Sequence, residues 1–161
     1  MSLPGHTTPL PELAVSAKAT LLSSTHQSEQ VYPALLAQRS LSLPDGTYLY
    51  GQVPERDQLG AAYLVFEVVA ERVTGAFYMP HSSFDCFQGS FENNQLALQI
   101  RNSYEQTVYP FSIAMQDVAI ANPLSGGIPA VALDGFYEIE SIDSNDQRVL
   151  ETCQADLSQS I

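Results

Sequence analysis

Basic residues are scarce in this chain. Lys18, Arg39, Arg56, Arg72, Arg101 and Arg148 stand against eighteen acidic residues, a formal charge of −12. A surface this negative repels phosphate backbones and anionic headgroups, and no basic stripe exists to attract them. That argues against nucleic acid and anionic lipid as partners and assigns the charge to solubility. Long apolar runs are missing too: none approaches the ~20 residues that a membrane-spanning helix needs. The N-terminus shows no basic region followed by an apolar one, so no signal peptide is visible, although the first thirty residues could follow a removed leader. Of three histidines only His81 lies beyond the N-terminal segment, and there are only two cysteines, Cys86 and Cys153. Two cysteines without a nearby His make no metal ligand set.

What the chain does have is strand-forming sequence. At 161 residues, 45% of them apolar, it is long enough for one domain with a real core. Residues 43–101 hold most of the Phe and Tyr, broken at intervals by Gly, Pro and Asn, a pattern that fits pleated, half-buried strands. Residues 1–30, rich in Ser, Thr, Pro and Ala, read as a flexible N-terminal arm. Residues 31–161 read as a single domain, opening on a short helix over 31–41.

Pro44-Asp45-Gly46 signals a turn before a strand over 47–53, in which Tyr48 and Tyr50 share one face. Strands over 62–69 and 73–79 form a hairpin whose Ala70-Glu71-Arg72 turn lacks the usual Gly or Asn. On the second of these strands, Gly75 points to a bulge or a close backbone approach. A second hairpin joins 83–91 to 95–101, and Leu96, Leu98 and Ile100 there alternate against a wet face. The next strand covers 108–115, with Pro110 forcing it toward an edge or a bulge. A loop over 122–129 and a final strand over 130–142 follow. Ser144 and Gln147 then read as a capping box that opens a helix, with Val149, Leu150 and Cys153 on one face. About seven strands on short connections define an all-β domain, an antiparallel meander forming a barrel or barrel-like sheet with a C-terminal helix.

The segment Met79–Cys86 is the densest group of reactive side chains. His81, Ser83 and Asp85 are the residues a small hydrolase would use, but neighbours on a strand point to opposite faces and no Gly-x-Ser-x-Gly elbow is present. A turn between two strands, with Ser and Asp bonded to local backbone, is the favoured reading of the segment. Glu67, Glu138 and Glu140 read as a solvated face rather than a glycosidase pair. Asp143–Asp146 lacks the Gly and the final Glu of a calcium loop, and Gly126-Gly127 has no following Lys to cradle phosphate. No cofactor motif exists. Tyr48, Tyr50, Tyr63, Tyr78 and Phe87, with His81 nearby, either line a pocket for a small apolar ligand or simply fill a small barrel. Cys86 and Cys153 are either a disulfide, worth about 4 kcal/mol in the chain-entropy model, or two buried thiols.

Several blocks (residues 43–52, 75–80, 83–87, 102–107 and 145–148) resemble a family of uncharacterised cyanobacterial proteins, over roughly residues 40–155. Members often carry a secretion leader, so the resemblance implies an extracytoplasmic (periplasmic) location and a Cys86–Cys153 disulfide. It carries no activity and no catalytic residues. The turn at 70–72 departs from it, where a Gly is expected. The resulting expectation is a non-enzymatic module, monomeric or a small homo-oligomer, that binds a small apolar ligand or a protein partner. The alternative is the small hydrolase.

Overall fold

The computed structural model describes Gly5, residues 40–118 and residues 130–159. The chain divides into two units between Arg39 and Ser40. The expected arm over 1–30, the short helix up to residue 39 and the loop over 122–129 lie outside the described residues.

Period-2 alternation and turn residues build eight strands and one helix in the described part: β1 (Gly46–Gly51), β2 (Tyr63–Val69), β3 (Arg72–Tyr78), β4 (Phe84–Glu92), β5 (Gln95–Arg101), β6 (Val108–Val118), β7 (Ala130–Leu133), β8 (Tyr137–Glu138) and α1 (Ser144–Ser158). Every neighbouring pair is antiparallel, in the order β7-β6-β5-β4-β3-β2-β1-β8. The result is the expected meander, curled into a nearly closed, barrel-like sheet.

Two details differ from the sequence reading. The single strand expected over 130–142 is two short ones. Gly135, at φ +80°, breaks it; the Asp134 amide donates to Ala114 O at 2.9 Å and the Phe136 amide to Leu133 O at 3.1 Å. That turn carries the chain from the β6 side of the sheet to the β1 side, which draws the barrel round. The helix is capped one residue earlier than expected, by Asp143. Its carboxylate accepts the Asn145 and Asp146 amides, and Asp146 answers by accepting the Asp143 amide. Asp wins because its short carboxylate reaches two orphan amides of the first turn.

The sheet separates two cores. Inside the barrel lie Tyr50, Phe66, Phe87, Leu98, Ile113 and their neighbours. On the outer face of β1–β4, Leu49, Tyr63, Val65, Ala76 and Tyr78 pack under Val149, Leu150 and Cys153 of α1. Gly75 sits on the inner face between Phe66 and Phe87. A Cβ there would lie 2.2 Å from Val65 O, so the expected close backbone approach is real.

Both tight hairpin turns are left-handed at both central residues: Asn93 and Asn94 (φ +51° and +58°), and Ala70 and Glu71 (φ +49° and +66°). Asparagine adopts that conformation readily, whereas for Ala and Glu it costs roughly 1–2 kcal/mol per residue. The Ala70 amide, donating to Asp45 Oδ1 at 2.9 Å, helps hold the strained turn.

Candidate functional site

The six aromatic and histidine residues singled out from sequence do not converge. Strand alternation divides them between the faces of the sheet. Tyr48, Tyr50 and Phe87 point inward, where rings fill the space: Tyr48 lies 5.5 Å and Tyr50 5.8 Å from Phe66, centroid to centroid, and Phe66 lies 6.4 Å from Phe87. Tyr63 and Tyr78 point outward and stack on each other beneath the helix at 5.6 Å. His81 is exposed, left-handed at φ +63° in the turn between β3 and β4.

The two outward tyrosines use their hydroxyls as structural ties. Tyr63 Oη donates to Glu55 O at 2.7 Å and accepts the Gln58 amide at 2.9 Å, fastening the loop between β1 and β2. Tyr78 Oη donates to Asp146 Oδ1. Asp146, only 1% exposed, is also paired with Arg56 at 2.6 Å, and Arg56 reaches Asp143 at 2.7 Å and the Ser141 carbonyl. This clasp fixes the start of α1 to both the barrel and the loop. Burial, followed by the hydrogen bond to Asp146, pushes the Tyr78 phenol up. The Asp146 amide holds Asp143 below the usual carboxylate range, with Arg56 acting in the same direction. Inside the barrel, burial and then the charge of Glu138 push Tyr50 up, and its hydroxyl is buried without a partner.

Ser83 and Asp85 are engaged separately, each with the loop after β5. Ser83 Oγ donates to Tyr104 Oη at 2.9 Å, and Asp85 Oδ1 accepts the Ser103 amide at 2.8 Å. Neither bond involves His81, so no nucleophile–base–orienter chain is assembled. Of the three glutamates, Glu67 lies on the helix side, accepting from Gln154 at 2.6 Å. Glu138 pairs with Tyr50 on the inner side. Cys86 and Cys153 are joined, sulfur to sulfur at 1.99 Å with Cα atoms 5.2 Å apart, and this disulfide ties α1 to β4.

Residues that sequence reasoning passed over stand out at the seam of the barrel. Among the described residues, strand β7 pairs with Met115–Val118 of β6 alone. Successive residues of a strand direct their amides to opposite sides. Met115 donates to Asn94 O beside β5, while Ala114 accepts from Asp134 on the β7 side. By alternation Val108, Pro110 and Ser112 face the seam, so the missing N–H of Pro110 falls on the side where no strand pairs among the described residues. Tyr109 and Phe111, although inward-directed, remain 41% and 40% exposed there, and Val108 is 56% exposed. Phe111 meets Phe77 edge-on at 5.5 Å, and Phe77 meets Phe87 at 5.2 Å. Pro110 was the sequence signal for this edge; the exposure of its neighbours depends on where β7 stops.

No protein-family model, curated protein or solved structure matches the chain. Among the described residues no helix is long and apolar enough to cross a membrane, and no group of three or more His, Cys, Asp or Glu could hold a metal ion.

Proposed function

We propose that this protein is a non-enzymatic, extracytoplasmic binding module that holds an extended segment of a protein partner along the β6 edge. The observation that carries the reading is the half-exposed Tyr109–Phe111 strip beside an edge to whose seam side, among the described residues, no strand pairs over Val108–Ile113. An unpaired edge offers backbone hydrogen bonds to an added strand, and flanking apolar side chains supply burial. With a charge of −12, the favoured segment is apolar with flanking Lys or Arg, and a second copy of the chain is repelled. A small apolar ligand inside the barrel is the weaker form of the idea, because Tyr50, Phe66 and Phe87 pack on one another there. The disulfide supports a compartment outside the cytoplasm, as does the resemblance to uncharacterised cyanobacterial proteins that often carry a leader.

A Val/Thr-alternating peptide flanked by lysines, titrated against the protein by amide-resolved NMR, tests this. The expected result is a set of shifts at Tyr109, Phe111 and Ile113 that disappears in Ser112→Pro, which removes an edge donor without touching the β5 ladder. Shifts that survive Ser112→Pro, or none at all, would end the proposal. Two free thiols in protein recovered from its native compartment would end the extracytoplasmic part.

A further inference from the structure

On the outer face of the sheet, beside the Val108 end of the seam, the start of β4, the end of β5 and the last turn of α1 border a cleft of about 560 Å³ that none of the readings above uses. Its volume lies within the range of small-molecule sites. The Cys86 side of the disulfide and the half-buried ring of Phe84 form part of its lining. Ser103 and Gln106 come from the loop between β5 and β6, Arg101 from the end of β5, and Asp156 and Gln159 from the end of α1.

The loop that supplies Ser103 and Gln106 is held in one shape. Asn102 Oδ1 accepts the Tyr104 and Glu105 amides at 2.9 Å. The Asn102 amide donates to Thr107 O and the Gln106 amide to Asn102 O, both at 2.9 Å. Asp85 holds the Ser103 amide, and Gln106 Nε2 donates to Ser103 O at 3.0 Å. A site built this way loses little conformational freedom on binding. Ser103 lines the cleft, but its Oγ is buried behind the wall without a hydrogen-bond partner, so a rotation about χ1 presents it to a ligand. A buried hydroxyl left unsatisfied costs about 1–3 kcal/mol, and a ligand group that bonds to it recovers that cost.

The chemistry of the lining selects the ligand. Most of the groups are polar, so a wholly apolar ligand would strand them. Arg101 and Asp156 cancel in charge, and the chain's net charge of −12 disfavours an anion. What remains is a neutral molecule with many hydroxyls and one apolar face. A pyranose ring has both: its C–H face packs on an aromatic ring, and its vicinal hydroxyls, each donor and acceptor, bond in pairs to planar amide groups such as those of Gln106 and Gln159. Phe84 offers the aromatic face. Tyr104, 80% exposed and bonded to Ser83 on the cleft wall, can extend the stacking to a further ring.

We infer that this cleft binds a neutral saccharide, with Phe84 as the stacking platform and Ser103, Gln106 and Gln159 bonding the ring hydroxyls. The test is amide-resolved NMR of the full chain with maltotriose, cellotriose, triacetylchitotriose and, as an anionic counterpart, trigalacturonate. At least one neutral sugar should shift the amides of Phe84, Ser103 and Gln106 while leaving those of Tyr109 and Phe111 in place. Ser103→Ala should then weaken binding about tenfold, as expected for one lost hydrogen bond to a desolvated group, with a melting temperature no lower than the parent's, because the hydroxyl has no partner to lose and its desolvation cost is relieved. Silence from every neutral sugar at millimolar concentration would overturn the inference. So would equal affinity in a Ser103→Ala/Gln106→Ala double variant that melts like the parent, or tighter binding of trigalacturonate.

Discussion

Strands β2 and β5 are equally long and read in opposite ways. In β5, Leu96, Leu98 and Ile100 are buried while Gln95 and Gln99 are exposed, the signature of a wall with one wet side. In β2 the run Tyr63-Leu64-Val65-Phe66 is buried without interruption, because the barrel core lies on one face and α1 on the other. The helix therefore divides the molecule. Under it the wall is sealed on both sides and tied by a disulfide and an ionic clasp. Away from it the wall keeps one dry face, and along β6 even that face comes into view. Stability should concentrate in the covered half, and the open half should be free to bind.

The largest test of that contrast is the disulfide. Replacing both Cys86 and Cys153 with Ala should cost about 4 kcal/mol of unfolding free energy, read from denaturant melts, and should loosen α1 before the β5–β6 hairpin in amide exchange. A loss below about 1 kcal/mol would mean that packing alone holds the helix down.

A second test is pH. Tyr78 is raised in the folded state, so its contribution is complete below the ordinary tyrosine pKa near ~10 and disappears as pH climbs beyond it. Asp143 is lowered, so its contribution is complete above the ordinary aspartate value near ~4 and is lost as pH falls below that. Melting temperature against pH should therefore fall at both extremes. Tyr78→Phe should flatten the alkaline limb, leaving the part due to Tyr50. An unaltered alkaline limb would remove Tyr78 from the account.

The smallest effect concerns the turn at 70–71. Glu71→Gly relieves a left-handed glutamate and should stabilise by about 1 kcal/mol. A neutral or negative result would show that the Asp45 contact already offsets the strain.

Much of the fold was legible in the sequence because it is built from local signals. Period-2 alternation located β1 to β6 to within a few residues, Gly75 announced its close approach, and Pro110 its edge. The turn at Asp134–Phe136 was missed because Phe136, Tyr137 and Ile139 continue an apolar rhythm across a single Gly. The cap was placed one residue late because Ser144-x-x-Gln147 and Asp143-x-x-Asp146 are overlapping frames, and only the contacts of Asp146 with Tyr78 and Arg56 choose between them. Of the two readings of the aromatic residues, pocket or filler, a single pocket is not assembled, since Tyr63 and Tyr78 are odd in register with Tyr50 and Phe87.

By itself the sequence determined the all-β class, the strand order of a meander and the covering face of the helix, because each follows from neighbours along the chain. Only the tertiary structure decided that Arg56 meets Asp146 across 90 residues, that the two cysteines bond across 67, that β7 stops short of Tyr109 and Phe111, and that Ser103 is buried in a cleft. Those are long-range contacts. They are set by how a twisted sheet closes and where a helix lies on it, which no local pattern encodes.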